Sequence, residues 1–231
     1  MSPASPPWSF NDLPNLMALM LGDGKHAPSA DSTIDILWVL YDRILRVNPD
    51  APDDPLRDRF LLSKGHGPVS FYAVLAAKGF IPIDELRNFA QYESILGHHP
   101  DRLLIPGVEI SSGSLGHGLP IAVGVTLGLR ARGLDGPRVF CLIGDGELDE
   151  GTNNEAIALA GRLGLGALTV IVVRNDSCYY GWPGGIASRF IVEGWSGGEV
   201  DGHDHAGLEA ALLVRDPLRP TVVVAQTEAN R

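Results

Sequence analysis

The sequence predicts an α/β fold in which a central, mainly parallel sheet is flanked by helices. Three short runs, RVFCLI, LTVIVV and PTVVVAQ, are rich in β-branched residues and apolar throughout, without polar alternation. This pattern is typical of parallel strands whose two faces are both covered. EAIALAGRLGLG, between the first two runs, predicts a helix. Residues 138–173 are therefore expected to form one β-α-β unit.

The remaining segments extend this pattern along the chain. Residues 1–11 are rich in proline and serine and are expected to form a flexible arm, whereas residues 12–231 are expected to form one domain. Helical periodicity predicts three further helices, at 31–45, 70–80 and 119–133. Thr152 and Glu155 have the spacing of a capping box at the start of the helix that follows the first strand.

Composition narrows the classes of function. The formal net charge of −10 argues against binding to nucleic acids or anionic membranes, because both need a basic face. The two cysteines, Cys141 and Cys178, do not form the pattern of a disulfide framework, so a cytoplasmic chain is expected. The first residues lack the features of a signal peptide, and no apolar run reaches membrane-spanning length.

Polar residues follow two of the predicted strands directly. Gly144-Asp145-Gly146 follows the first strand, and Asn175 follows the second. The carboxyl ends of adjacent parallel strands meet at one edge of the sheet, where ligands bind. Carboxylate and amide oxygens suit Mg²⁺ or Ca²⁺, and the next helix start offers amide donors to a phosphate. The spacing alone also fits a plain turn.

Several ordered motifs resemble the transketolase family. Gly144-Asp145-Gly146, followed by Glu150, Glu155 and Asn175, resembles its thiamine-diphosphate motif. Upstream, GKHAPSADSTIDIL, LSKGHGPVSFYAVLAAKGF and GHHPDRLLIPGVEISSGSLGHGLPIAVG resemble further family segments, as do SRFIVEGW and VDGHD downstream. The similarity runs from about residue 15 to residue 225. It implies the three-layer thiamine-diphosphate-binding fold, with its parallel sheet between helices.

The resemblance implies roles at the matched positions. Asp145, Asn175 and the backbone carbonyl of Ser177 would bind Mg²⁺ or Ca²⁺. The residues expected to bind thiamine diphosphate are His66, Gly113, Ser114, Leu115, Gly144, Asp145, Gly146, Glu147 and Asn175. Glu150 and Glu155 match acidic residues near the family's dimer interface.

Three histidines match catalytic positions of the family. His26 and His99 would line the substrate channel, and His66 would reach the diphosphate and the substrate side of the cofactor. Neutral imidazoles can move protons near pH 7. The cofactor would serve as the electron sink for a two-carbon fragment. His98 and His203 are expected to be structural, the latter in a loop.

The sequence departs from the family in three places. It stops at Arg231, without the pyrimidine-binding domain that carries the family's catalytic glutamate. A second subunit supplying that domain is therefore expected, in a heterotetramer. The family histidine that follows the last strand is missing, and His117 stands where the family has glutamine. These departures leave the acceptor open.

Three functions follow from these observations. The first is transfer of a two-carbon ketol (glycolyl) unit from a ketose phosphate to an aldose phosphate. The second passes the same unit to a lipoyl group or an acyl carrier protein, as in oxo-acid-dehydrogenase-like enzymes of secondary metabolism. The third is a non-catalytic role in cofactor binding or as a scaffold. A carrier protein or lipoyl domain encoded beside this chain would favour the second.

Overall fold

A computed structural model of the protein describes residues 8–20, 31–65, 68–178 and 181–227. Within these ranges five strands form one sheet, and every pairing is parallel. The strands are β1 (Arg59–Leu62), β2 (Val139–Gly144), β3 (Leu168–Arg174), β4 (Ser196–Asp201) and β5 (Thr221–Gln226). Their order across the sheet is β1-β2-β3-β5-β4.

Helices cover both faces of the sheet. They are α1 (Leu13–Ala18), α2 (Ile34–Val39), α3 (Pro68–Ala77), α4 (Gly118–Ala131), α5 (Gly151–Arg162), α6 (Ile186–Ile191) and α7 (His205–Leu213). A wider π-helical turn, Leu40–Ile44, continues α2, and short 3-10 turns span Phe10–Asp12, Ile83–Asn88 and Gly146–Asp149. One hydrophobic cluster joins α1, α2, α3 and α7 to the sheet, and a second joins α4, α5 and α6 to its other face.

The continuous apolar runs are explained by these two clusters. Along β2, Phe140 and Leu142 belong to the first cluster, whereas Cys141 and Ile143 belong to the second. All six residues of β2 are buried. A strand that is covered on both sides has no position for a solvent-facing polar side chain. The three strands predicted from such runs are confirmed as β2, β3 and β5.

Two strands and one cap differ from the sequence-based expectation. β1 and β4, at the two edges of the sheet, were not predicted. The capping box expected at Thr152 is wrong, because α5 begins after Glu150 without a side-chain cap. The Thr152 hydroxyl instead donates to the carbonyl of Gly116 at 2.7 Å. This contact ties α5 to the loop before α4.

The register brings the polar strand ends together at one edge. Gly144 pairs with Val173, and Arg174 pairs with Gln226, so Asp145, Asn175 and Thr227 leave the sheet side by side.

Elsewhere in the fold, Phe10 packs edge-on against His205, with ring centroids 4.6 Å apart. No helix in the described ranges is both long and apolar enough to cross a bilayer.

Candidate cofactor and metal site

Asp145 is buried at the end of β2 and holds the loop that follows β3. Its Oδ1 accepts from the Gly146 amide at 2.8 Å and from the Ser177 hydroxyl, and its Oδ2 accepts from the Ser177 amide at 3.0 Å. Asp176 has a φ of +56°, a left-handed conformation that turns the chain back toward β2. The two loops are therefore joined before any ligand binds.

A buried oxygen in the same loop lacks a partner within the described part of the chain. Asn175 Oδ1 is buried and has no hydrogen-bond partner among the residues that the structure describes. A buried acceptor without a partner is costly, so such an atom points to a ligand that completes it. A Cβ on Gly146 would lie 3.0 Å from the Ser177 carbonyl oxygen, so glycine leaves room in front of that oxygen. Asp145, Asn175 and Ser177 thus offer three hard oxygen donors, which fit Mg²⁺ or Ca²⁺.

A metal at this edge would depend on amide and carbonyl oxygens. Among the residues that the structure describes, no group of three His, Cys, Asp or Glu side chains could hold a metal ion. The donor set predicted from the sequence contains a single carboxylate, that of Asp145.

Glu147 fixes the loops around this edge. Its Oε1 accepts from the Ser63 hydroxyl and from the Gly116 amide at 2.9 Å, and its Oε2 accepts from the Gly144 amide at 3.4 Å. Burial raises the pKa of Glu147, and the three donors partly oppose this. All these contacts are within the protein, so Glu147 joins the ends of β1 and β2 to the loop before α4. Its contact with a cofactor stays a prediction.

His99 and Gly113 are packed together in the loops before α4. Gly113 has a φ of +126°, and a Cβ there would lie 3.0 Å from the His99 ring. His99 Nδ1 is 2.9 Å from the Gly65 carbonyl, which can only accept, so Nδ1 carries the proton. In a neutral ring with this tautomer, Nε2 is the nitrogen that accepts a proton. Beside Gly113, Ser114 is exposed and Leu115 is half-buried.

Lys64 is a buried cation that the sequence analysis did not assign. Its carbons lie 3.6–3.7 Å from the position of a Cβ on Gly144, and its Nζ is 3.5 Å from Ser32 Oγ. Burial lowers the pKa of Lys64 to about 8, although Asp145 and Glu147 act in the opposite direction. The available signal was its place in the segment LSKGHG, which resembles a family segment; its position two residues after β1 was not available, because β1 was not predicted.

The other expected residues are distributed as follows. His26 and His66 lie outside the described residues. Glu150 and Glu155 are exposed around the start of α5. His117 is exposed before α4, and His98 is exposed with Phe89 edge-on to its ring at 5.6 Å. His203 lies in the turn between β4 and α7, as expected.

Comparison with known proteins identifies similar chains. The family described as "Transketolase, thiamine diphosphate binding domain" matches residues 21–229. Ferredoxin fas2 of Rhodococcoides fascians is 56% identical over 218 residues, which cover 94% of this chain and 72% of that protein. One of the subunits of an apulose-4-phosphate transketolase from Actinobacillus succinogenes is 35% identical over 212 residues, covering 88% of this chain and 76% of that protein.

Longer transketolases match over part of their length. Transketolase 2 of Xanthobacter flavus is 39% identical over 215 residues, covering 85% of this chain and 31% of that enzyme. The solved transketolase of Leishmania mexicana superposes with a TM-score of 0.75 and 28% identity, over 95% of this chain and 36% of that one. The Campylobacter jejuni enzyme has a TM-score of 0.72 and 27% identity, over 94% and 37%. This chain therefore spans about a third of these enzymes.

Proposed function

Because this chain belongs to the transketolase family, as its thiamine-diphosphate-binding domain, we propose that it is the diphosphate- and metal-binding subunit of a two-component transketolase-like enzyme. The family and the three-layer fold expected from the sequence are both confirmed. The proposed reaction transfers a two-carbon ketol unit from a ketose phosphate to an aldose phosphate. The proposal is carried by the buried Asn175 oxygen, which has no partner in the described ranges and follows the same strand end as the Asp145–Ser177 pairing.

The metal would be held by the Asp145 carboxylate, Asn175 Oδ1 and the Ser177 carbonyl. Mg²⁺ suits such a site because it prefers oxygen ligands and commonly also binds substrate phosphates. The 12-residue helix α5 follows this edge, and its first amide groups add donors for an anion. Thiamine diphosphate, when bound, supplies an electron sink for the two-carbon fragment.

The chain's own contribution to proton movement is assigned to His99. Its Nδ1–H is directed at the Gly65 carbonyl, which fixes both the tautomer and the orientation of the ring. Nε2 is then the atom that takes up and returns a proton at a substrate hydroxyl. Gly113 leaves room for the ring in this position, because a Cβ there would lie 3.0 Å from it.

A second polypeptide is proposed to complete the active site. A relative of similar extent is named as one of the subunits of a transketolase, which supports the split arrangement. The partner would supply the pyrimidine-binding domain and the catalytic glutamate, and two copies of each chain would form a heterotetramer. The complex is proposed to act in the cytoplasm, and the free thiols of Cys141 and Cys178 are consistent with this location.

An electron-carrier role is not proposed, although one relative is named a ferredoxin. Iron–sulfur clusters are usually held by four cysteine thiolates, and this sequence has two cysteines. Cys141 is fully buried in β2, and burial raises its pKa well above the ordinary value. Its thiol is therefore poorly suited to bind a cluster.

The test combines cofactor binding with turnover. The chain is purified with the protein encoded beside it, then titrated with thiamine diphosphate and Mg²⁺, and finally given a ketose phosphate. Metal-dependent binding and donor cleavage in the two-chain complex, with an aldose phosphate as acceptor, are expected. Turnover by this chain alone would contradict the two-component arrangement. Absence of binding in the complex would overturn the proposed function. Transfer of the two-carbon unit to a lipoyl group or carrier protein would show that the acceptor is not an aldose phosphate.

A further inference from the structure

His203 contacts two hydrogen-bond acceptors, one at each ring nitrogen. Its Nδ1 lies 2.9 Å from Asp35 Oδ2, and its Nε2 lies 2.9 Å from the Thr227 carbonyl oxygen. An ionised carboxylate and a carbonyl both accept and do not donate. A neutral imidazole donates from one nitrogen, whereas the imidazolium donates from both. The geometry therefore requires the charged ring if both hydrogen bonds are to form.

The surrounding charges favour the same state. Asp35, at the start of α2, also accepts from His205 Nε2 at 2.7 Å, and Asp201 faces His203 from the end of β4. The hydrogen bonds to Asp35 and Thr227 raise the pKa of His203 above 6.5, and burial acts against them. The side chain is 54% exposed, so solvent screens part of this effect.

Thr227 connects His203 to the strand end that carries Asn175 of the proposed metal site. Its amide donates to the Arg174 carbonyl at 3.0 Å, and its hydroxyl donates to the same oxygen at 3.2 Å. Arg174 is the last residue of β3, and Asn175 follows it directly. The peptide that carries Asn175 is therefore held on one side by Thr227, which is in turn held by His203.

We propose that His203 is an imidazolium that positions Asn175 through Thr227, so that the proposed metal site depends on the protonation of a histidine outside it. His203 is a positioning residue in this arrangement. Its protonation and its contact with Thr227 stand on geometry alone, whereas the importance of Asn175 rests on the proposed function. The contribution of the charged His203 ring to the stability of the fold is fully present below its unfolded-state pKa of about 6.5. It is lost as pH rises through the higher pKa that His203 has in the folded chain.

Nitrogen NMR of the full chain tests the protonation state directly. Both ring nitrogens of His203 should give the signals of protonated nitrogen at neutral pH, with a midpoint above 6.5. A neutral ring with one protonated nitrogen at about pH 7, or a midpoint at or below the ordinary value of about 6.5, would overturn the inference. The observation needs neither cofactor nor partner.

Amide exchange tests the positioning. Protection of the Thr227 amide, corrected for intrinsic exchange, should fall by about tenfold as His203 loses its proton. In His203→Gln this pH dependence should vanish, because the side-chain amide of glutamine does not titrate. His205→Gln is the matched control, since it replaces the other titratable group that contacts Asp35 without touching Thr227. Equal pH profiles in wild type and His203→Gln would contradict the proposal.

Cofactor titration separates this inference from the proposed function. In the two-chain complex, apparent affinity for Mg²⁺ with thiamine diphosphate should weaken by about tenfold in His203→Gln at about pH 6, and by less at high pH. Equal affinity in wild type and variant at both pH values would refute the link to Asn175. If the wild-type complex binds no cofactor, the proposed function fails, and the NMR and exchange results decide the inference by themselves.

Discussion

Ser177 and Asp145 are paired through two hydrogen bonds that join the ends of adjacent strands. The Ser177 amide donates to Asp145 Oδ2 at 3.0 Å, while the Ser177 hydroxyl donates to Oδ1. This pairing aligns the carboxylate and brings the backbone of Ser177 next to Gly146. A site whose ligands are held by the protein loses less entropy when a metal or cofactor binds.

Replacing Asp145 should remove the proposed metal site. In the two-chain complex, Asp145→Ala is expected to weaken Mg²⁺-dependent binding of thiamine diphosphate by at least about a hundredfold, because the only carboxylate of the donor set is lost. Isothermal titration measures the change. Asp149→Ala, in the same turn and half-buried, is the control and should keep near-normal affinity. Normal affinity in Asp145→Ala would show that the metal assignment is wrong.

Asn175→Ala should separate stability from binding. Without metal, the variant is expected to be as stable as wild type or more stable by about 1 kcal/mol, because it loses a buried oxygen that has no partner among the described residues. With thiamine diphosphate and Mg²⁺ present, it should gain less thermal stability than wild type. Thermal unfolding with and without both ligands gives the comparison. Marked destabilisation of the ligand-free variant would mean that Asn175 has a structural partner.

Gly113→Ala should displace His99. The added Cβ would lie 3.0 Å from the His99 ring on a backbone with a φ of +126°, so we expect a loss of about 1–3 kcal/mol of stability and a lower kcat. Chemical denaturation and steady-state kinetics of the complex measure both effects. Gly128→Ala is the matched control, because a Cβ there meets nothing within 4 Å. It should stabilise the isolated chain by up to about 1 kcal/mol. Unchanged kcat in Gly113→Ala would remove His99 from the proposed chemistry.

Lys64 should leave a signature in the alkaline pH dependence of stability. Burial lowers its folded-state pKa to about 8, whereas the unfolded chain keeps a value near 10.5. Between these values the unfolded state binds more protons, so stability attributable to Lys64 should rise with pH. Lys64→Met should lack this rise. Denaturant unfolding from about pH 7.5 to about pH 10.5 compares the two proteins. Parallel curves would mean that Lys64 is hydrated.

The sequence predicted the centre of the sheet better than its edges. β2, β3 and β5 are covered on both sides, so their residues form unbroken apolar runs that local pattern analysis recognises. β1 has four residues, and the edge strand β4 contains two glycines and exposed positions. β1 is too short and β4 lacks the apolar pattern that marks a strand, and each is stabilised by pairing with its neighbour.

By itself, the sequence determined the family, the three central strands and the placement of Asp145 and Asn175 at one edge, because these depend on local pattern and on strand direction. Only the tertiary structure decided which side-chain contacts hold the segments around that edge of the sheet. Thr152 bonds to Gly116 instead of capping α5, Glu147 joins three loops, and His203 meets Asp35 from 168 positions away in the chain. Such contacts form between segments far apart in sequence, and no local periodicity encodes them.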